Sequence, residues 1–254
     1  MRRRKRRNGR SGALAILVFM VAIGSVLFAG YKLYEPPFEP PMPATAPVHR
    51  PAQIETPGSS VETEDVLILV NKDNPIPDGY AANLVAFENV YVAKVLLDDL
   101  MAMRRAAAEE NVVLVIRSAY RTSEEQETVF DEAVAGYVSQ GNSQNAAEEK
   151  AERVAARPGH SEHQTGLAID FSLAADAERQ TEMWDWLSRN AQCYGFILRY
   201  PEGKEHVTGY GFEPWHYRYV GRGHAISIVG QGLLLEEYLI QSSLSSLQSA
   251  DQSS

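Results

Sequence analysis

The run Ser161-Glu162-His163-Gln164-Thr165-Gly166-Leu167-Ala168-Ile169-Asp170 and the later Glu213-Pro214-Trp215-His216 supply two imidazoles and two carboxylates from separate parts of the chain. Two histidines and one aspartate can fill three positions of a tetrahedral zinc site and leave the fourth open to water. A spare glutamate can take that water's proton. The pattern points to a hydrolase that holds one Zn2+ per chain, with His163, Asp170 and His216 as ligands and Glu213 as general base.

The spacing supports this assignment. Gly166 lets the backbone turn from a loop into a strand, so that His163 and Asp170 converge. Glu213 precedes His216 by an odd offset, which on one regular strand would put the two side chains on opposite faces. Pro214 cannot join a central ladder, so the strand is expected to begin after it, with Glu213 on the turn before. Each residue also has a plainer reading. A single histidine is more often a surface or satisfied core residue, and an aspartate alone can cap a helix. His49, His160, His206 and His224 are left in that class, with His160 and His206 the nearest of them to the motifs. His163 and Asp170 alone are a weak signal; combined with Glu213-Pro214-Trp215-His216 they are a far stronger one.

Several elements must position these groups. Leu84, Phe87, Val90, Val92, Val95, Leu96 and Met101 space an apolar face over a predicted helix from Ala82 to Glu110. Val112 to Ser118 reads as a buried strand, and Thr122 or Ser123 opens a helix to about Val138. Further helices are expected over Ala146 to Ala156 and Glu182 to Gln192, and strands over Gly195 to Tyr200 and Trp215 to Val220. Ile226 to Ile240 has an apolar face suited to a closing helix on the core, with a surface for a partner as the alternative. Without strict βαβ alternation, the expected fold is α+β, one domain with a small, mostly antiparallel sheet flanked by helices.

The ends bear on location. Seven basic residues lie within 1–10, and no charge follows until Lys32. About 20 apolar residues cross a bilayer, so 11–31 is expected to be a transmembrane anchor with its N-terminus in the cytoplasm and the rest of the chain outside. A cleaved signal peptide is the competing reading, disfavoured by the long apolar run and the poor cleavage site at Leu27-Phe28-Ala29. Eight of the thirteen prolines fall between Tyr34 and Pro57. Residues 32–61 are thus expected to form an extended stalk, 62–240 the catalytic domain, and 241–254 a disordered Ser/Gln tail. Removing the seven N-terminal positive charges from the net −9 leaves −16, which argues against a nucleic-acid partner. The single cysteine, Cys193, excludes an internal disulfide.

Ser118-Ala119-Tyr120-Arg121-Thr122, Gln126, the S-x-H-x-x-G-x-A-x-D element, Thr208-Gly209-Tyr210 and the run from Glu213 to Gly221 resemble, in this order, the zinc D-alanyl-D-alanine carboxypeptidases of the vancomycin-resistance type. The resemblance covers about Val66 to Val220, with Val70-Asn71-Lys72 near its start. Ala119 stands where that family more often has Gly. The resemblance implies a hedgehog/D-alanyl-D-alanine peptidase fold, a zinc cofactor and peptidoglycan stem peptides as substrates. It implies ligand roles for His163, Asp170 and His216, the base for Glu213, substrate contact for Arg121, and positions near the substrate for Ser161 and Gln126. Arg121 also suits such a reaction on its own chemistry, since a guanidinium can bind a terminal carboxylate bidentately or polarise the scissile carbonyl. The plainer alternative is an ion pair with Glu124 or Glu125. The expected activity is removal of a C-terminal D-alanine by D,D- or L,D-cleavage at the outer face of the cell membrane. An endopeptidase or a zinc-stabilised, non-catalytic module for wall peptides or a protein is the alternative. No obligate protein partner is expected.

Overall fold

A computed structural model describes residues 65–172 and 176–251, all within the unit Pro43–Ser254. The expected anchor and the expected stalk, residues 11–31 and 32–61, lie outside the described residues. No helix among the described residues is long and apolar enough to cross a membrane.

The first elements correct the sequence reading. Instead of one helix from Ala82, strands β1 (Leu84–Phe87) and β2 (Val90–Ala93) pair antiparallel around a turn in which Glu88 has φ 53°. β-branched and aromatic residues such as Val85, Val90, Tyr91 and Val92 fit a pleated, half-buried surface, and their spacing satisfies both periodicities over so short a stretch. Helix α1 is confined to Leu97–Glu109, with Asp98 and Asp99 in its first turn, where the helix dipole favours negative charge. Asn111, at φ 63°, ends it as expected, and Val112 N–H returns to the Ala107 carbonyl at 2.9 Å.

Strand β3 is shorter than expected, Ile116–Ser118, because only this part of the β-branched run pairs. Helix α2 (Ser123–Ser139) opens on a capping box in which Thr122 and Glu125 satisfy each other's backbone amides. It packs on α3 (Gln144–Ala151) through Phe130, Ala133, Val134, Ala147 and Ala151. Strand β4 is Ala168–Phe171, and α4 (Ala177–Asn190) starts five residues before its predicted beginning, at the Asp176 cap. Strand β5 (Phe196–Leu198), the short helix α5 (Glu205–Thr208) and strand β6 (His216–Tyr219) follow.

These strands form an antiparallel sheet in the order β3-β4-β6-β5. One face presents Ile169, Phe171, Phe196, Tyr217 and Tyr219 to a core with Leu100 and Met103 of α1 and Met183, Trp186 and Leu187 of α4. Burying each such side chain contributes on the order of 1.5–3 kcal/mol. Strand alternation therefore turns Asp170, His216 and Arg218 to the opposite face, where all three are buried.

The predicted closing helix is two helices, α6 (Arg222–Gln231) and α7 (Leu235–Asp251), separated at Gly232. Ala225, Ile228 and Leu235 pack on Ile197 and Val220, in keeping with the core role expected for this segment. A further correction concerns 241–251, expected as disordered tail and instead the continuation of α7. The Glu237 carboxylate accepts from Leu234 N–H to start the helix, and the Ser242, Ser243 and Ser245 hydroxyls donate to carbonyls four residues back.

Candidate metal centre

His163 sits on a single 3-10 turn, Glu162–Thr165, which Gly166 ends at φ 72°. The β1–β2 hairpin packs directly on that glycine: a Cβ there would lie 2.8 Å from Leu84 Cδ2 and 2.9 Å from Ala93 N. Ala93 N–H donates to the Gly166 carbonyl at 2.9 Å, clamping the turn. His163 Nδ1 lies 2.6 Å from the Ala119 carbonyl, which can only accept, so the ring carries its hydrogen on Nδ1 and offers Nε2.

Asp170 and His216 are direct cross-strand partners on β4 and β6. His216 Nδ1 is 3.0 Å from Asp170 Oδ1, and His163 Nε2 is 3.2 Å from Asp170 Oδ2. One ligand atom from each residue lies within 4.8 Å of the others, a spread compatible with a shared ion at about 2.0–2.2 Å from each. His163 Nε2 and Asp170 Oδ1 are buried without a hydrogen-bond partner. Orphaned acceptors turned toward one point are costly unless a cation completes them, so this donor set fits zinc.

The charges agree. Burial would raise the Asp170 carboxyl, but His163 and His216 beside it hold it far below the usual carboxylate range. Burial and the Arg121 guanidinium lower the His163 ring to about 4, leaving it neutral and able to ligate. Burial would also lower His216, yet the Asp170 and Glu162 carboxylates win and raise it to about 9. Glu213 lies in the turn before β6, as expected, with Oε2 3.8 Å from His216 Nδ1. Burial pushes its carboxyl up to about 8.

Arg121 reaches the same point from the loop after β3. Its Nη1 donates to Gln126 Oε1 at 2.8 Å, its Nη2 to Asp170 Oδ2 at 3.4 Å, and its Nε is buried without a partner. Glu125 is occupied in the helix cap, so the local ion pair considered for Arg121 does not form with it. Gln126 is buried behind Arg121 and donates to the Ala156 carbonyl at 2.7 Å; its contacts restrain the arginine. Ser161 is buried at the entry to the His163 turn. Tyr200 lies tilted against His216, with ring centroids 4.8 Å apart, and Trp215 lies against Trp184 at 6.1 Å.

Sequence reasoning passed over Glu162, Arg199, Arg218 and Glu236. Glu162 Oε1 accepts from Arg199 Nε at 2.8 Å and from Arg218 Nη1 at 2.9 Å, while Oε2 lies 3.3 Å from His216 Nε2. The available signal was Arg218, two residues after His216 on a strand and hence on the ligand face. His160, one of the two histidines placed nearest the motifs, instead meets the Asn71 carbonyl through Nδ1 at 2.9 Å. His224 pairs with the Tyr238 hydroxyl at 2.8 Å.

Comparison with known proteins agrees with this geometry. Residues 89–222 match the family model VanY: D-alanyl-D-alanine carboxypeptidase. A D-alanyl-D-alanine carboxypeptidase of Enterococcus faecalis (strain ATCC 700802 / V583) is 39% identical over 226 residues, covering 84% of each chain. Among solved structures, a mutant of the vancomycin-resistance D,D-pentapeptidase VanY from a VanB-type cassette, in complex with Zn(II), is 42% identical. It aligns with a TM-score of 0.67 over 69% of this chain and 99% of its own. The LD-carboxypeptidase LdcB is 38% identical, with a TM-score of 0.58 over 68% of this chain and 85% of its own. With its α+β fold and its buried His, Asp and His cluster, the chain belongs to the VanY family of zinc-dependent D-alanyl-D-alanine carboxypeptidases.

Proposed function

We propose that the chain is a membrane-anchored, extracytoplasmic carboxypeptidase that removes a C-terminal D-alanine from peptidoglycan stem peptides. The observation that carries this reading is the meeting of three ligand side chains, a buried carboxylate and a half-satisfied guanidinium at one point. His163 Nε2, His216 Nδ1 and Asp170 would hold the zinc. When bound, it supplies Lewis acidity toward the scissile carbonyl and makes an attacking water easier to deprotonate.

The protein's own groups do the rest. Glu213 has a raised proton affinity because it is buried, which suits a group that takes a proton from water and hands it to the leaving amine. Arg121, held by Gln126 and Asp170, keeps Nε–H free for the terminal carboxylate or the carbonyl oxygen of the peptide. A carboxylate clamp favours trimming of chain ends over cleavage within cross-links. The buried Glu213 favours turnover over a passive binding module.

The relatives include both a D,D-pentapeptidase and an LD-carboxypeptidase, so stem pentapeptide and tetrapeptide are both substrates to test. The basic block, apolar run and proline-rich stretch in 1–61 support an anchor at 11–31 and a stalk at 32–61 that carry the site outward to the wall. Purified zinc-loaded protein should release D-alanine from one or both defined peptides, lose this on chelation and regain it with zinc. Mass analysis of the products reads the cleavage directly. Fully zinc-loaded protein that releases nothing from either peptide would overturn the proposal.

A further inference from the structure

We propose that Glu162 fixes the tautomer of His216, and that Glu236 on the C-terminal helix completes the ion network that holds Glu162 in place, making α7 a positioning element for the metal centre. This rests on the reading of His216 as a zinc ligand and not on the choice of peptide.

The imidazole of His216 has a carboxylate on each side: Asp170 Oδ1 at Nδ1, 3.0 Å away, and Glu162 Oε2 at Nε2, 3.3 Å away. A metal ligand can give only one nitrogen. With the hydrogen kept on Nε2 by Glu162, the Nδ1 lone pair is the one directed toward His163 Nε2 and Asp170. A carboxylate in this place orients a ligating ring and raises its basicity.

Glu162 is itself held with no freedom. Its side chain is 0% exposed, and its Oε1 takes one hydrogen bond from each of two fully buried arginines. Arg218 also donates to the carbonyls of Val66, Ile68 and Tyr219, so apart from Glu162 its hydrogen-bond partners are backbone. Arg199 is different: its Nη1 and Nη2 donate to both oxygens of Glu236 at 2.9 and 2.6 Å, a bidentate pair. Two carboxylates against two guanidiniums leave the group neutral. Without Glu236, one buried guanidinium is left over and competes for Glu162, pulling the carboxylate away from the ring.

The test uses Glu162→Gln, Glu236→Gln and the double variant in the metal-free protein. Zinc affinity is measured by competition with a chromophoric chelator, and the visible absorption of the Co(II)-substituted protein reports ligand geometry. Glu162→Gln should weaken zinc by roughly 10–100-fold, and Glu236→Gln by a smaller factor with a shifted cobalt spectrum. The double variant should be no weaker than Glu162→Gln, because the two act through one path. Unchanged affinity and spectrum in Glu236→Gln, or losses that multiply in the double variant, would overturn the link. Should Glu162→Gln fail to fold, Glu236→Gln decides alone, since its side chain is partly exposed and the spectrum is read only from folded protein. Normal zinc behaviour of these variants would sink this inference and leave the peptidase reading standing. An inert wild-type enzyme with the predicted zinc losses would do the reverse.

Discussion

Replacing Gly166 by alanine tests how the β1–β2 hairpin and the His163 turn depend on each other. Gly166 has φ 72°, a region that costs an L-residue about 1–2 kcal/mol. The added Cβ would lie 2.9 Å from Ala93 N, a backbone atom that cannot swing aside, and 2.8 Å from Leu84 Cδ2, a side-chain end that can. Overpacking of this kind costs roughly 1–3 kcal/mol, and weakening the Ala93 N–H bond to the Gly166 carbonyl adds about 1 kcal/mol. The sum is about 3–6 kcal/mol. Gly159→Ala is the paired control: φ is 82° there, but nothing lies within 4 Å of the new carbon, so only the conformational cost of about 1–2 kcal/mol applies. With a urea slope of about 2 kcal/mol/M, the two unfolding midpoints of the metal-free protein should differ by roughly 1 M or more. Gly166→Ala should also bind zinc more weakly, because relief of the clash moves the turn that carries His163. Equal midpoints for the two variants, read by circular dichroism, would refute the close-approach argument.

Glu213→Ala should keep zinc and fold while lowering turnover by about 10²–10⁴-fold; full turnover on either stem peptide would remove Glu213 from the mechanism. His163→Ala, Asp170→Ala and His216→Ala should each lower the zinc content of purified protein, and stoichiometric metal in any one strikes that residue from the site. Zinc affinity should climb with pH through about 9, since the His216 ring is protonated below that value in the metal-free protein and must shed its proton to ligate through Nδ1. Calorimetry at pH 6 in buffers of different ionisation enthalpy should show release of at least about one proton per zinc; no release would contradict the assignment.

The ligand cluster was legible because its residue types are unusual in combination and because Gly166 and Pro214 tell where the backbone turns. Elements far from those markers were less so. Leu84, Phe87, Val90 and Val92 satisfy a helical spacing, and nothing short-range excludes it; what decides for a hairpin is the pairing of Val85 with Val92 and the turn at Glu88. The Glu162, Arg199, Arg218 and Glu236 group was invisible for a different reason. Charged residues are usually solvated, and only the assembled sheet brings a carboxylate before β4, an arginine after β5 and a glutamate on the last helix into one dry place. The helical 241–251 segment was hidden by composition, because serine and glutamine extend a helix that leucines and capping glutamates have already begun.

Gln126 has a consequence for how Arg121 meets an anion. An amide has one donating end and one accepting end, and the Ala156 carbonyl claims the donor, so only oxygen can face the guanidinium. A glutamate in its place would tie the arginine down with a full negative charge and blunt its pull on an incoming peptide end. An aliphatic residue would leave the guanidinium to wander among rotamers. The uncharged amide avoids both outcomes: it steers the cation without cancelling it, so the attraction stays available for whatever anionic group arrives.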